Sequence, residues 1–107
     1  MKSMEDQKLR LNKFKDMSGL TWEQIARLFG VSQRAVLLWK NGTRMSRFHR
    51  GRLDNLTKAL HQLEMGTPAK TRERLLTVMN GTSLYQYWLE EVQRVDSQRA
   101  WIDRQPQ

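Results

Sequence analysis

Apolar residues recur along this chain at spacings of three and four, which is the period of a helix with one buried face. The first such stretch predicts a helix over residues 5–17, with Leu11, Phe14 and Met17 facing the core. β-branched residues are few and never alternate with polar ones, so the sequence predicts no strand. We therefore expect an all-α protein, in which amphipathic helices pack on one another.

Two short helices joined by a tight turn are predicted over residues 21–41. Thr21 and Gln24 form a capping-box pattern, in which each side chain bonds a free backbone N–H of the first turn. The apolar face of this second helix is Trp22, Ile25, Ala26 and Phe29. Gly30 suits the left-handed conformation that ends a helix, and Ser32 suits the cap of a third helix.

The chain beyond residue 42 predicts three more helices. Ser46 is expected to cap a fourth, whose apolar face is Leu53, Leu56, Leu60 and Leu63. The Gly-Thr-Pro run at 66–68 breaks the chain and starts a fifth helix, which we expect to run to Met79 before an Asn-Gly pair. Ser83 is expected to cap a last helix that extends toward Asp103.

Composition excludes several classes of protein. The chain has 107 residues, enough for one modest core, and its four Trp and three Phe are too many for a disordered chain. Its longest apolar run, at 35–39, is far short of the ~20 residues that a membrane span needs. We expect no signal peptide and a cytoplasmic protein. The absence of cysteine excludes disulfides, thiolate metal sites and a cysteine nucleophile.

Basic charge is concentrated in one segment. The chain has 19 Lys+Arg against 11 Asp+Glu, a formal net charge of +8. Residues 24–53 contain no acidic residue and seven basic ones, namely Arg27, Arg34, Lys40, Arg44, Arg47, Arg50 and Arg52. A solvated helix face is the ordinary interpretation of a charge run, but such a face usually mixes signs. The unmixed segment instead favours contacts with nucleic-acid phosphates.

The segment around the second and third predicted helices is similar to a known family. Gly19-Leu20-Thr21-Trp22-Glu23-Gln24-Ile25-Ala26, Phe29-Gly30-Val31-Ser32, Val36, Trp39 and Gly42 resemble the Xre/Cro/lambda-repressor-like helix-turn-helix family. The likeness covers about residues 9–63. It implies an all-α helix-turn-helix domain of four to five helices, to which this chain adds a C-terminal amphipathic helix.

That resemblance implies a division of the chain and a function. Residues 1–66 would form the helix-turn-helix DNA-binding domain, and residues 67–107 a C-terminal helical extension. The protein would be a sequence-specific, double-stranded DNA-binding transcriptional regulator, a homodimeric repressor that enters the major groove with helix 32–41. It would be encoded by a bacterium or phage and lie at the nucleoid when bound. A two-fold dimer predicts an inverted repeat with half-sites about 10 base pairs apart.

The same resemblance implies roles for single residues. Gln33, Arg34 and, one turn on, Leu37 would contact base edges, where Leu37 could touch thymine methyl groups. The outward direction of the neighbouring Leu38 stays open. The expected phosphate contacts are Thr21, Trp22, Ser32, Lys40, Asn41, Arg44, Arg47 and Arg50. Trp22 stands where the family more often has glutamine, so its indole could either donate to phosphate or pack in the core.

The last predicted helix carries an apolar stripe at spacings of four, four and three. Its members are Leu84, Trp88, Val92 and Val95. The stripe could close the protein's own core, form a dimer interface or bind another protein. Residues 74–84 faintly resemble segments of some Xre-type antitoxins. The alternative function is therefore an antitoxin that binds its toxin through the C-terminal helices and regulates its own operon.

Enzyme chemistry finds little support in the sequence. His49 and His61 lack a carboxylate placed as a third metal ligand, and Glu90 and Glu91 point to different faces of one helix. No phosphate-binding glycine loop occurs. We expect a non-enzymatic protein with no cofactor, no metal and no membrane partner. Single-stranded RNA is disfavoured because the aromatic residues occupy core positions rather than a stacking surface.

Overall fold

The computed structural model describes residues 4–63 and 65–103, and this part of the chain is helical apart from short connections. The helices are α1 (Met4–Ser18), α2 (Trp22–Phe29), α3 (Gln33–Lys40), α4 (Arg47–Leu63), α5 (Pro68–Leu76) and α6 (Leu84–Asp103). Within these residues the β structure amounts to one isolated bridge, so the all-α prediction is confirmed. None of the described helices combines the length and apolarity that crossing a membrane requires.

The predicted helix ends around α2 and α3 are confirmed. The Thr21 hydroxyl accepts a hydrogen bond from the Gln24 backbone N–H at 3.1 Å, and the Thr21 N–H donates to Gln24 Oε1 at 2.9 Å. Gly30 ends α2 in the left-handed region, at φ +68°. The Ser32 hydroxyl accepts from the Ala35 N–H and so caps α3. Local chemistry therefore marks both ends of α2 and the start of α3.

The fifth helix is shorter than predicted. It ends at Leu76 rather than at Met79, because the two residues that follow are β-branched and favour extended backbone. Met79 and Thr82 then exchange two backbone hydrogen bonds across a tight turn. Asn80 and Gly81 form that turn with φ values of +55° and +88°, the positive pair of a two-residue hairpin. The Asn-Gly pair thus makes a turn of its own.

One hydrophobic cluster underlies all six helices. It includes the predicted core residues Leu11, Phe14, Ile25, Ala26, Phe29, Val36, Trp39, Leu53, Leu56 and Leu60. Leu75 of α5 and Tyr85 of α6 belong to the same cluster. Met17, Trp22 and Leu63 pack against it and stay partly exposed. The C-terminal helices therefore share the core on which α2 and α3 rest.

Three hydrogen bonds from two side chains of the C-terminal helices hold the start of α2. Arg72 of α5 donates to the Gly19 carbonyl and to Gln24 Oε1, both at 2.9 Å. The Tyr85 hydroxyl of α6 donates to the Gln24 carbonyl at 2.8 Å. Burial raises the pKa of Tyr85 above its ordinary value, so the hydroxyl keeps its donor hydrogen to higher pH than an exposed tyrosine does. The position of α2 thus depends on α5 and α6.

Candidate nucleic-acid interface

The turn between α2 and α3 spans three residues and brings the two helices into close contact. Ala26 of α2 is 2% exposed, and its small side chain is of the kind that lets helices pack closely. The rings of Phe29 and Trp39 meet edge to face, with centroids 5.7 Å apart. Val36 is fully buried on the same side of α3. One face of α3 is therefore fixed to the core and the opposite face is open.

The open face of α3 begins with the residues expected to contact bases. Gln33 and Arg34 are exposed in the first turn, directly after the Ser32 cap. Leu37, expected to point outward, is half-buried, whereas Leu38 is 45% exposed. Leu38 is thus the more accessible apolar side chain for a contact outside the protein.

Five of the seven basic residues in segment 24–53 make no ion pair with any described residue: Arg34, Lys40, Arg44, Arg47 and Arg50. The other two form ion pairs with carboxylates of the same chain. Arg27 pairs with Glu23 at 2.9 Å on α2, and Arg52 pairs with Asp96 of α6 at 3.0 Å. We call the five unpaired residues the cationic surface. It runs from the first turn of α3 through the following loop into α4.

Trp22 holds two ammonium groups near the start of α2. Lys40 lies 5.4 Å and Lys15 of α1 lies 5.5 Å from the centroid of its indole ring. These are cation–π distances, and the ring itself packs partly against the core. Trp22 therefore packs against the core and also holds the ammonium groups of Lys15 and Lys40 near the start of α2. Lys15 was not expected at this place, since its position on α1 gives no sequence signal for the contact.

The remaining predicted phosphate contacts are accessible. Thr21, Ser32 and Asn41 are exposed at the ends of α2 and α3. The Thr21 and Ser32 hydroxyl oxygens accept capping bonds, and each hydroxyl hydrogen can still donate to an anion. These groups can add neutral hydrogen bonds to the charges of the cationic surface.

Gln7 of α1 fixes the loop that follows α3. The side chain is 7% exposed, and its Nε2 donates to the Trp39 and Thr43 carbonyls at 3.1 and 2.8 Å. Its Oε1 accepts from the Met45 N–H at 2.9 Å. One amide thereby binds two backbone groups of the loop that carries Arg44, at Thr43 and Met45, and ties them to the Trp39 carbonyl of α3. A glutamine on an amphipathic helix is ordinary, so the sequence does not reveal this role.

Arg52 joins α4, the end of α2 and α6. Its Nη1 donates to the Phe29 carbonyl at 3.2 Å and its Nη2 to Asp96 Oδ1 at 3.0 Å. Burial lowers the pKa of the neighbouring His49, as do Arg52 and Arg99, while Asp96 acts in the opposite direction. This junction keeps α6 against the turn between α2 and α3. No group of three His, Asp or Glu suited to a metal ion occurs among the residues described.

The predicted stripe of α6 divides between core and surface. Leu84 and Trp88 pack against the hydrophobic cluster, and Val92 is 7% exposed. Trp88, Val92 and Val95 line an open groove between α4 and α6, opposite Phe48, Gly51 and Leu56 of α4. We call this the α4–α6 groove; its volume is about 530 Å³. Part of the stripe therefore packs on the core, and part lines the open groove.

The likeness of residues 19–42 to the Xre family remains an interpretation of the sequence alone. The structure itself gives the helix lengths, the three-residue turn and the exposed residues of α3. These observations do not depend on the resemblance. Comparison with protein-family models, curated proteins and solved structures finds no match to the chain.

Proposed function

We propose that this chain is a sequence-specific, double-stranded DNA-binding transcriptional regulator that places α3 in the major groove. The cationic surface carries this proposal: five basic side chains without ion pairs to described residues, on one continuous stretch of the chain. Unpaired cations of one sign repel each other, which costs stability. A phosphate backbone would neutralise them and release counterions.

The exposed first turn of α3 supplies the means to distinguish sequences. The major groove admits an α-helix, and side chains near the N-terminus of that helix reach base edges. Gln33 can pair with adenine and Arg34 with guanine, each through two hydrogen bonds. Both side chains are exposed and lie beside the phosphate-binding candidates. These exposed positions therefore support a proposal in which α3 contacts base edges and the flanking side chains contact the DNA phosphates.

The position of the aromatic residues favours a duplex over a single strand. Proteins that bind single strands stack bases on exposed aromatic rings. Phe29 and Trp39 are 1% and 7% exposed. Phe48, next to Arg47, is half-buried, and its ring already contacts the guanidinium groups of Arg52 and Arg99 at 4.7 and 4.0 Å from the centroid. Phe29 and Trp39 hold α2 against α3, and these rings offer no free stacking surface.

The test separates sequence discrimination from general attraction. Bound sites are first selected from random duplex DNA, and each variant then binds selected and scrambled duplexes in competition at one salt concentration. Arg34→Ala should lower the specific-to-nonspecific affinity ratio by about 5- to 150-fold, the loss of one bidentate base contact. Arg44→Ala should weaken binding to both duplexes alike, because phosphate contacts carry no sequence information.

Two outcomes would contradict the proposal. Failure to enrich any duplex sequence would exclude a sequence-specific regulator. An unchanged ratio for Arg34→Ala, together with a collapsed ratio for Arg44→Ala, would place the discriminating surface on the loop after α3.

A further inference from the structure

The open face of α3 carries one exposed apolar side chain. Leu38 is 45% exposed, whereas Val36 and Trp39, on the opposite side of the helix, are buried in the core. Arg34 lies four residues before Leu38 and Asn41 lies three residues after it, the spacings that place side chains on one helix face. Both of these polar residues are exposed. Leu38 is thus an apolar group between two polar ones on the face that the core leaves open.

Leu37, the leucine that the sequence favoured for an apolar contact with a base, is the less accessible of the two. It is half-buried, whereas Leu38 belongs to the exposed residues. The free energy gained by covering an apolar side chain rises with the area removed from water. A contact made by α3 outside the protein therefore gains more at Leu38 than at Leu37.

The floor of the major groove offers a leucine one suitable partner. Most groups that the bases expose there are hydrogen-bond donors or acceptors, and the apolar one is the C5 methyl group of thymine. A leucine pressed against donors and acceptors would remove their water without replacing the hydrogen bonds, which costs free energy. Contact with the methyl group instead removes apolar surface of both partners from water. The chemistry of the side chain therefore selects thymine.

The position of that thymine follows from the spacing of α3. Arg34 and Leu38 are separated by one turn, or about 6 Å along the helix axis. Successive bases along one DNA strand are about 3.4 Å apart. The base that Leu38 reaches therefore lies within about two base pairs of the base that Arg34 contacts.

We propose that Leu38 contacts the C5 methyl group of a thymine and thereby specifies a T·A pair within about two base pairs of the pair that Arg34 contacts. This inference rests on the proposed DNA binding and adds to it the identity of one base and the residue that distinguishes it. Leu38 supplies the apolar part of the discrimination, and Arg34 supplies hydrogen bonds.

Replacement of single thymines by uracil tests the contact, because uracil lacks only the C5 methyl group. In the duplex that wild type enriches from random DNA, each thymine is replaced in turn, and affinities are measured at one salt concentration. At the contacted position wild type should bind the uracil duplex about fourfold more weakly, the effect of one buried methyl-sized group. Leu38→Ala should bind both duplexes equally. Leu38→Met, which keeps an apolar side chain of similar volume, should retain the preference for thymine.

Two further measurements separate the contact from folding and locate it. Leu38→Ala should keep a Tm near that of wild type, because the side chain is 45% exposed and alanine favours a helix. Leu9→Ala removes another exposed leucine, on α1, and should leave the preference for thymine at its wild-type value. The base pair at which Arg34→Ala relaxes discrimination should lie within about two base pairs of the sensitive thymine.

Four results would overturn the proposal. These are a wild type that is insensitive to every uracil replacement, a preference for thymine that persists in Leu38→Ala, a preference that is lost in Leu37→Ala and kept in Leu38→Ala, and a sensitive thymine far from the base pair of Arg34. All four leave the proposed DNA binding intact, since they require a duplex that wild type has enriched. Failure to enrich any duplex would instead remove the proposed function, and this contact with it.

Discussion

The cationic surface of α3 and α4 and the two C-terminal helices rest on one core, yet they differ in how they use charge. On α3, the following loop and the start of α4, five cations have no ion pair with described residues. On α6, Glu91 pairs with Arg94 at 3.0 Å, and Asp96 pairs with Arg52 of α4. The carboxylates of Glu91 and Asp96 are thus paired within the molecule. The charge of the cationic surface is not balanced by ion pairs with described residues.

This difference separates the cationic surface, which we propose contacts DNA, from the helices that support it. Repulsion among unpaired cations opposes compact folding. The C-terminal helices act in the other direction: Arg72 and Tyr85 bond the start of α2, and Asp96 holds Arg52, which donates to the Phe29 carbonyl at the end of α2. We interpret α5 and α6 as the support that lets α2 and α3 hold an unbalanced charge.

The largest expected effect is the dependence of DNA affinity on salt. Five phosphate contacts give a slope of log K against log[salt] of about −4.5, so affinity should fall about 500-fold between about 50 and 200 mM salt. Arg44→Ala should make the slope shallower by about one. Arg27→Ala is the matched control, because Glu23 already pairs with Arg27 and the slope should not change. A wild-type slope shallower than about −2 would remove the charge argument.

The next effect concerns the support that the cationic surface receives from α1. Gln7→Glu exchanges the amide that donates to two backbone carbonyls for an oxygen that cannot donate. We expect a loss of about 2 kcal/mol in the free energy of unfolding, since the Thr43 carbonyl loses its donor and a carboxylate oxygen is placed beside two carbonyl oxygens, while the Trp39 carbonyl keeps the Gly42 N–H. DNA affinity should fall as well, because the loop carrying Arg44 is released. Gln93→Glu, at an exposed position of α6, is the control. A stability loss equal to that of the control would show that Gln7 does not hold the loop.

Local chemistry made part of this fold predictable. The ends of α2 and the start of α3 follow from Thr21, Gly30 and Ser32, which act on backbone groups a few residues away. The apolar faces follow from helical spacing in the same way. The predicted end of α5 was wrong because the residues after Leu76 could either continue the helix or lead into a hairpin turn. The backbone preference of these residues decides between the two conformations.

The candidate site was predictable only in outline, because its supporting contacts join residues far apart in sequence. Gln7 bonds Met45 across 38 positions, and Arg52 bonds Asp96 across 44. Neither pair has a local pattern that would identify its partner. For the same reason a charge count along the sequence included Arg52 among the available cations. The exposure of Gln33 and Arg34 is what the amphipathic pattern of α3 predicts.

A smaller effect tests the support from α6. Tyr85→Phe removes the hydroxyl that donates to the Gln24 carbonyl and should cost about 1 kcal/mol of stability. Tyr87→Phe removes a hydroxyl from an exposed ring two residues away, so its Tm should match that of wild type. Thermal unfolding of both variants measures the difference. Under conditions where both are fully folded, their salt slopes for DNA should equal that of wild type. A changed slope for Tyr85→Phe would mean that α6 takes part in the binding surface itself.

The smallest expected effect is a dependence of folding stability on pH, caused by His49, which lies beside Arg52 where α4 meets α6. Burial, Arg52 and Arg99 lower the pKa of His49 below its ordinary value of 6.5. The unfolded chain therefore takes up a proton at a higher pH than the folded chain does. Stability should fall as pH drops through 6.5 toward the folded-state pKa, and this contribution should stop changing below it.

Thermal unfolding between about pH 7.5 and 5 checks this expectation. His49→Gln should show a shallower decline of Tm with falling pH than wild type, whatever its Tm at neutral pH. His61→Gln, which removes an exposed histidine from the same helix, controls for the loss of a titrating side chain. Equal declines in wild type and His49→Gln would show that protonation of His49 does not weaken the junction. A steeper decline in His49→Gln would mean that protonated His49 stabilises the fold, with Asp96 outweighing the two arginines.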